Sequence, residues 1–249
     1  MIAFSGGVDS TFLLKVSADV LGKENVLAIT ACSSTYPSRE REEAVILARL
    51  LDVDHELIIS EELDIPEFRS NPVNRCYFCK KELFGKLKTL AAAKGYAHVA
   101  DGSNLDDNLD FRPGRQAASE LGVISPLREA NLTKNDIRTL SRELALPTWN
   151  KPALACLSSR FPYGETITGT KLRAIEEAEN FLKDLGFQQL RVRLHGNIAR
   201  LELDPSDLLR VFQDGLSLRI AGRLKELGFA YVTLDLEGYR TGSMNEVLK

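Results

Sequence analysis

Residues 5 to 10 read Ser-Gly-Gly-Val-Asp-Ser and stand between a short apolar run and a stretch of apolar residues at helical spacing. This order predicts a strand, a glycine loop and a helix. The first N–H groups of a helix have no intrahelical partner, and the helix dipole adds partial positive charge there. Glycines also let the backbone approach an anion closely. The segment therefore predicts an anion cradle made of Ser5, Gly6, Gly7, Val8, Asp9 and Ser10.

These six residues resemble the PP-loop, the pyrophosphate loop of the ATP-pyrophosphatase superfamily. The resemblance implies that ATP is cleaved between its α and β phosphates while a substrate is adenylated. The Gly-Lys-Ser/Thr ending of a Walker loop is absent from the segment. We expect Asp9 to hold a Mg²⁺ ion that in turn holds phosphates, and the hydroxyls of Ser5 and Ser10 to donate hydrogen bonds. The alternative interpretation is an ordinary Gly-Gly turn with a serine cap.

The composition is that of an ordinary soluble globular protein of 249 residues, enough for one large domain or two modest ones. The net charge of −3 argues against broad non-specific binding of nucleic acid. No apolar run approaches the length of a membrane span, and no signal peptide precedes the first motif. Four cysteines without a disulfide framework predict a reducing, cytoplasmic location. The short run before Ser5 predicts that an N-terminal segment is missing.

Strand and helix signals alternate over residues 1–146, which predicts an α/β fold with a doubly wound parallel sheet and ligands at the carboxyl ends of its strands. Ser38 is predicted to cap a helix, and another helix is predicted from Lys80 to Lys94 with Gly95 as its C-cap. Short strands are predicted at 98–101 and 123–125. Residues 147–169 are predicted to be an active-site linker or lid. Residues 170–249 read α-β-β-α-β, a smaller α+β domain with a turn at Gly196-Asn197.

Cys76 and Cys79 form a Cys-x-x-Cys pair, and Cys156 stands apart from them in the chain. Such a pair places two sulfurs within reach of one metal or cluster, and it also suits a redox dithiol. A third cysteine makes a three-ligand site possible. Structural zinc and plain core packing are the alternatives. Cys32 follows an apolar strand and is predicted to be a core or pocket residue.

The chain as a whole resembles the LarE family of ATP-dependent sacrificial sulfur transferases. The matching segments run nearly end to end, and the stretch around Cys156 together with Arg191-Val192-Arg193 is far more specific than the PP-loop. These segments are 5–10, Arg75-Cys76-Tyr77-Phe78-Cys79-Lys80, Asp101-Gly102-Ser103-Asn104, Pro147-Thr148-Trp149-Asn150-Lys151-Pro152, residues 156–164 and Arg191-Val192-Arg193.

The resemblance implies that ATP adenylates a carboxylate of pyridinium-3,5-biscarboxylic acid mononucleotide, a nicotinic-acid-derived mononucleotide, and that sulfur then replaces the adenylate. The product serves the nickel-pincer nucleotide cofactor of lactate racemase. Cysteine at all three positions, Cys76, Cys79 and Cys156, resembles the branch in which a [4Fe–4S] cluster carries the sulfur. In the other branch one cysteine gives up its own sulfur. The family also implies a sulfide donor and a homo-oligomer, often a hexamer.

Several further residues have candidate roles at such a site. Arg191 and Arg193 alternate along a strand, and two guanidinium groups on one face suit the phosphate of a mononucleotide, a role that Arg160 also suits. The alternative for the strand arginines is a solvated edge. Gly102 and Ser103 are expected to line the adenosine pocket. The weaker candidates are Asp101 and Asp106 for Mg²⁺, Trp149 for stacking on a pyridinium ring, and Glu176 and Glu179, interpreted first as surface carboxylates.

Three other functions compete with this interpretation. A PP-loop enzyme that thiolates tRNA would use similar chemistry, but the acidic balance and the lack of a recognisable RNA-binding module oppose it. An amide-forming synthetase of the NAD, GMP or asparagine type would need no cysteine triad. A non-enzymatic ATP-binding sensor would use the three cysteines as a structural zinc site.

Overall fold

The computed structural model describes residues 1–108, 113–152, 155–240 and 242–248. The chain divides into two compact units, one of residues 1–68 and 73–154 and one of residues 69–72 and 155–249. The change of unit after residue 154 falls inside the segment predicted as a linker, 147–169. The three-part division itself stays a prediction. Nothing in the sequence pattern indicates that residues 69–72 belong to the second unit.

The first unit is an α/β structure, as predicted. Its strands and helices are β1 Ile2–Ala3, α1 Val8–Leu21, β2 Leu27–Cys32, α2 Ser38–Leu50, β3 Asp54–Ile59, α3 Pro66–Arg69 (whose last residue falls in the second unit), α4 Arg75–Lys94, α5 Gly114–Glu120, α6 Pro126–Glu129 and α7 Lys134–Glu143.

The sheet of this unit is parallel, and β1 lies in its middle. Strands β1, β2 and β3 are adjacent in that order, and Ile2 on the other side of β1 makes a parallel bridge to Ala100, which bridges to Ile124. One apolar cluster packs α1, α2 and α7 around Ala28, whereas another packs α4 and α5 around Ile29. Adjacent residues of a strand face opposite sides of a sheet, so helices cover both faces. The predicted doubly wound arrangement is confirmed.

Local predictions succeed at some element ends and fail at others. Gly95 ends α4 in the left-handed conformation, as predicted. The predicted cap at Ser38 is wrong, because Ser38 is the first helical residue and Pro37 precedes it. Helix α4 begins at Arg75 instead of Lys80, since its first turn lacks a strong apolar period. The predicted strands at 98–101 and 123–125 are reduced to isolated bridges at Ala100 and Ile124.

The second unit is a three-stranded sheet with helices. Its elements are α8 Gly169–Asp184, β4 Leu190–His195, β5 Ile198–Leu203, α9 Leu216–Glu226 and β6 Tyr231–Leu234. Strand β5 pairs antiparallel with β4 and parallel with β6. The predicted α-β-β-α-β order and the turn at Gly196-Asn197 are confirmed, and two short 3₁₀ turns lie between β5 and α9. Within the described residues, no helix is long and apolar enough to cross a membrane.

The capping box of α7 allows a test of the fold. The hydroxyl of Thr133 accepts from the N–H of Asp136, and the Asp136 carboxylate accepts from the N–H of Thr133 at 2.9 Å. Thr133→Ala removes the hydroxyl and leaves the N–H of Asp136 without its acceptor, whereas the backbone N–H of residue 133 keeps its bond to the Asp136 carboxylate. We expect the substitution to lower the free energy of unfolding by about 1 kcal/mol.

The measurement is urea unfolding followed by circular dichroism. Thr89→Ala removes a hydroxyl from the exposed middle of α4, where it donates to the carbonyl of Gly85 in the same helix. We expect that control to change the free energy of unfolding by less than about 0.5 kcal/mol. Equal effects of the two substitutions would contradict the role of the cap.

Candidate active site

The glycine loop joins the carboxyl end of β1 to the first turn of α1. Gly6 has φ 64°, in the left-handed region, and a methyl group there would lie 3.2 Å from the Cα of Ala44. Gly7 occupies the N-cap position of α1, and no side chain of the described residues caps it. The hydroxyl of Ser10 accepts from the N–H of Ser5 at 3.3 Å and so closes the loop. The loop is thus compact, and the first N–H groups of α1 have no side-chain cap.

Asp9, the predicted magnesium ligand, lies in the first turn of α1 and is partly exposed. Its carboxylate pairs with the ammonium group of Lys134, the first residue of α7. The side-chain amide of Asn104 donates to the same carboxylate at 3.2 Å. A metal ion that binds Asp9 would therefore compete with an ammonium group for the carboxylate. Sequence reasoning missed Lys134, because its partner lies 125 residues away in the chain.

Gly102 and Ser103, predicted to line an adenosine pocket, follow the bridge at Ala100 and lie beside the loop. A methyl group at Gly102 would be 3.0 Å from the backbone nitrogen of Ser10, so a larger residue would force the two backbones apart by a few tenths of an ångström. Ser103 donates to the buried carboxylate of Asp101 at 2.8 Å, and Ser125 donates to it at the same distance. Asp101 thus organises the turn beside the loop. Asp106 accepts from the backbone of Lys134 at 2.8 Å.

Lys151 contacts the glycine loop from the predicted linker segment. Its ammonium group donates to the carbonyl of Gly6 at 3.1 Å and pairs with Glu40 and Glu43 of α2 at 2.9 and 2.8 Å. The Tyr36 hydroxyl donates to the carbonyl of Ser5 at 2.5 Å. Lys151 lies in a segment that carries the family resemblance, but nothing in the sequence indicates this contact.

The cysteines are distributed over both units. Cys76 and Cys79 lie in the first two turns of α4, three residues apart and so on one face of the helix, with Cys76 exposed and Cys79 half-buried. Cys156 is half-buried in the second unit and precedes a 3₁₀ turn at Leu157–Arg160. None of the four cysteines, all within the described ranges, is disulfide-bonded. Among the described residues, no three or more His, Cys, Asp or Glu side chains are grouped as a metal site.

Arg160 holds the turn after Cys156. Its guanidinium group donates to both carboxylate oxygens of Glu179, at 2.8 and 2.9 Å, and to the carbonyls of Ala155 and Cys156 at 2.8 and 3.0 Å. Arg160 and Glu179 are 3% and 5% exposed. The interpretation of Glu179 as a surface carboxylate is therefore wrong: the residue lies on the buried face of α8, and it also accepts from the N–H of Val192.

Burial by itself disfavours the charged form of Glu179, but the adjacent guanidinium of Arg160 outweighs this and holds the pKa of Glu179 below its ordinary value. For Arg160, burial opposes the charged form, whereas Glu179 and the nearby Cys156 favour it, and its pKa is raised. The pair is therefore ionised.

Arg193 is also buried in an ion pair. Its guanidinium lies 2.8 Å from Glu202, which is fully buried, and donates to Ser159 O and to the hydroxyl of Ser243 at 3.0 and 3.1 Å. The alternative of a solvated strand edge is wrong for this residue. Arg193, like Arg160, ties the Cys156 turn to the sheet.

Arg191 has different surroundings on β4. Its side chain is half-buried, donates to the carbonyl of Leu190 at 2.6 Å and lies over the ring of Tyr239 at 5.1 Å. Burial and the charge of Arg160 lower its pKa. A cation in such surroundings gains stability from an anionic ligand.

Asn71, from the short segment 69–72, forms hydrogen bonds with the loop that follows the Cys156 turn. It is fully buried, and its side-chain amide donates to the carbonyl of Pro162 at 2.7 Å. Its own carbonyl accepts from Gly164 N at 2.9 Å, and Arg69 O accepts from Ile167 N at the same distance. These bonds place residues 69–72 in the second unit.

The remaining candidates stay predictions. Trp149 is 38% exposed, and the guanidinium of Arg142 lies 5.2 Å from its ring. Glu176 lies half-buried on α8, one turn before Glu179. Neither position indicates a ligand by itself.

Comparison with known proteins identifies the family. The NAD synthase family matches residues 1–68, the part that contains the glycine loop and β1 to β3. An uncharacterized protein, slr1717, of Synechocystis sp. is 49% identical over 100% of this chain and 92% of its own length. The pyridinium-3,5-bisthiocarboxylic acid mononucleotide synthase of Lactiplantibacillus plantarum is 42% identical over 99% of this chain and 89% of its own length. This chain belongs to the LarE family. A solved structure of NMN synthetase from Francisella tularensis aligns with 61% of the chain and 64% of its own, at 20% identity and a TM-score of 0.49.

Membership of the LarE family makes the chain an ATP-utilising enzyme with a PP-loop. ATP and Mg²⁺ fit the PP-loop family.

Gly6 provides a test of the loop conformation. Gly6→Ala forces a side chain into a left-handed conformation and against Ala44. We expect a loss of about 1 to 2 kcal/mol in the free energy of unfolding, together with weaker ATP binding. Gly85→Ala is the matched control, because a methyl group there meets nothing within 4 Å.

Since Gly85 lies inside α4, the control should instead stabilise the protein by about 0.5 to 1 kcal/mol. Chemical unfolding and calorimetric titration with ATP measure both effects. A Gly6→Ala protein as stable as the wild type would contradict the conformation described.

Glu179→Gln tests the buried ion pair beside Cys156. It leaves the Arg160 charge buried without its counter-ion, so we expect a loss of about 3 kcal/mol or more in the unfolding free energy. Glu177→Gln, in an exposed pair with Arg223, should cost less than about 1 kcal/mol.

The difference between wild type and Glu179→Gln should also depend on pH. Because folding lowers the pKa of Glu179, its stabilisation is present above the ordinary value of 4.5 and is lost as pH falls below it. Urea unfolding at pH 7 and at stepwise lower pH measures this, and a pH-independent difference would contradict it.

Proposed function

We propose that this LarE-family chain adenylates one carboxylate of pyridinium-3,5-biscarboxylic acid mononucleotide with ATP and converts it to a thiocarboxylate, for the nickel-pincer nucleotide cofactor of lactate racemase. The observation that carries the proposal is the full-length relation to the Lactiplantibacillus plantarum synthase, whose name states the bisthiocarboxylic acid product. The site residues below are proposals that the described geometry supports.

In the first half-reaction, a substrate carboxylate oxygen attacks the α-phosphorus of ATP and pyrophosphate leaves. A carboxylate is a poor electrophile, and adenylation supplies a good leaving group. The N–H groups of the glycine loop would bind the phosphates, with Ser5 and Ser10 as further donors and Gly102 and Ser103 beside the adenosine. Asp9 would hold Mg²⁺, which neutralises charge on the departing pyrophosphate.

In the second half-reaction, a sulfur nucleophile attacks the carbonyl carbon of the acyl adenylate and AMP leaves with the electrons of the broken C–O bond. Thiolates and sulfide are strong nucleophiles near neutral pH and need little help from a general base. Cys76, Cys79 and Cys156 are the thiols available for this step, and the turn held by Arg160 and Arg193 keeps the backbone at Cys156 fixed.

The donor set of three cysteine thiols suits an iron–sulfur cluster, since thiolates are the usual ligands of such clusters. Cys76, Cys79 and Cys156 would hold a [4Fe–4S] cluster, which would supply transferable sulfur when bound. The second source is the sulfur of one cysteine itself.

Of the three arginines predicted for the substrate phosphate, Arg191 is the best supported. Arg160 and Arg193 are buried beside Glu179 and Glu202 and hold the Cys156 turn. Arg191 is half-buried with a lowered pKa, so an anion beside it would relieve the cost of its burial. The family resemblance extends the proposal to an external sulfide donor, a cytoplasmic location and a homo-oligomer.

The cysteine variants test the sulfur route. Cys76→Ser, Cys79→Ser and Cys156→Ser should each abolish thiocarboxylate formation by the full chain, because oxygen neither ligates iron as sulfur does nor carries sulfur. Substrate-dependent pyrophosphate release should remain measurable in all three. Asp9→Asn should show the opposite pattern, with pyrophosphate release lost at the first step. Cys32→Ser serves as the matched cysteine control and should retain both activities.

Two measurements separate the sources of sulfur. Anaerobically purified protein should be brown with about four irons per chain if a cluster is used, and its mass should be unchanged after turnover. Stoichiometric zinc without iron would falsify the cluster. A loss of about 34 Da, the removal of H₂S from one cysteine, would instead indicate a sacrificed residue. Repeated turnover by any one of the variants Cys76→Ser, Cys79→Ser and Cys156→Ser would refute the sulfur route altogether.

A further inference from the structure

Successive backbone carbonyls at the start of the glycine loop are each held by a side-chain donor. The carbonyl of Phe4 accepts from the buried hydroxyl of Thr30 at 2.7 Å. The carbonyl of Ser5 accepts from Tyr36 at 2.5 Å, and that of Gly6 accepts from Lys151 at 3.1 Å. The donors come from β2, the loop after β2 and the segment after α7, so elements distant in sequence converge on one stretch of backbone.

A held carbonyl also orients the next amide. In a trans peptide the C=O of one residue and the N–H of the next point in opposite directions, and the peptides of the described loop are trans. The first of these peptides shows the result, since the N–H of Ser5 is turned to the hydroxyl of Ser10 at 3.3 Å. By the same geometry, the N–H groups of Gly6 and Gly7 point away from Tyr36 and Lys151. Neither N–H has an acceptor within the described part of the chain.

Two carboxylates of α2 fix the ammonium group of Lys151, and their charges also act on Tyr36. Lys151, with its side chain 12% exposed, pairs with Glu40 and Glu43 at 2.9 and 2.8 Å. Burial raises the pKa of the Tyr36 hydroxyl, and the charges of Glu40 and Glu43 raise it further. Tyr36 therefore keeps its proton at neutral pH and remains a donor to the loop.

We propose that Lys151, Tyr36 and Glu40 are positioning residues that hold the N–H groups of Gly6 and Gly7 ready for the pyrophosphate part of ATP. This inference rests on the proposed function of the loop as the phosphate site. The three side chains act on the carbonyl side of the backbone and need not contact the nucleotide. Their effect is preorganisation: the loop does not have to reorder its peptides when the anion arrives.

The competing explanation is that Lys151 attracts phosphate directly by its charge. The two explanations predict opposite signs for one substitution. Glu40→Gln removes a negative charge near an anion site, which by electrostatics alone tightens pyrophosphate binding. If Glu40 instead fixes Lys151 on the Gly6 carbonyl, its loss loosens the loop and weakens binding.

The experiment uses the full chain with two probes, magnesium pyrophosphate and AMP, each titrated by calorimetry. AMP lacks the part of ATP that the loop would hold. We expect Lys151→Met and Tyr36→Phe each to weaken pyrophosphate binding about tenfold and Glu40→Gln about threefold, with AMP binding changed less than about twofold. Lys23→Met and Glu42→Gln are the controls, since they remove equal charges from exposed positions of the same unit.

Three results would overturn the proposal. They are tighter pyrophosphate binding by Glu40→Gln, unchanged binding by Tyr36→Phe, or an equal loss of AMP and pyrophosphate binding in all three variants. Thermal midpoints identify a variant that fails to fold. If Lys151→Met or Glu40→Gln fails to fold, the pyrophosphate binding of Tyr36→Phe, which removes a single hydroxyl, decides whether the proposal holds. Failure of the proposed function would give a different result. In that case the wild-type protein binds pyrophosphate but releases no pyrophosphate from ATP when the pyridinium dicarboxylate mononucleotide is the substrate.

Discussion

Strand β1 has β2 on one side and the bridge position at Ala100 on the other, and this reversal of strand order determines where a ligand can bind. Helices leave the two neighbours of β1 toward opposite faces of the sheet, so a crevice opens at its carboxyl end. The glycine loop occupies that end, and Gly102 reaches it from the neighbouring position. The approach of Gly102 to within contact of Ser10 requires both segments to lie at the switch in strand order.

Charged side chains lie around the glycine loop in the first unit and around the Cys156 turn in the second unit, and their exposure differs. In the first unit, Asp9, Lys134 and Lys151 keep partial contact with water. In the second, Arg160 and Arg193 are removed from water and balanced by Glu179 and Glu202. Buried pairs of this kind fix backbone positions, because moving either partner exposes an uncompensated charge to an apolar interior. The turn at Cys156 is therefore among the most constrained parts of its unit.

The sequence was enough to predict those features of the fold that depend only on residues close together in the chain. The loop before α1 and the left-handed Gly95 both follow from residues within a few positions of one another. The burial of Glu179 could not be predicted from its own helix, because it depends on an arginine 19 residues earlier and on the N–H of Val192. Lys134 and Lys151 were missed for the same reason, since each finds its partner across more than a hundred residues. The roles of the cysteines in chemistry stay predictions.

The assignment of residues 69–72 to the second unit limits how the gene can be divided into separate units. Because the chain enters the second unit at Arg69, returns at Val73 and leaves again after residue 154, no single cut separates the two units. A fragment that begins at residue 155 lacks Asn71, and the carbonyl of Pro162 and the N–H of Gly164 then lose their partners. Such a fragment exposes the loop after the Cys156 turn to solvent and proteases. Independent expression of the second unit calls for a graft that carries Arg69–Pro72 along with it.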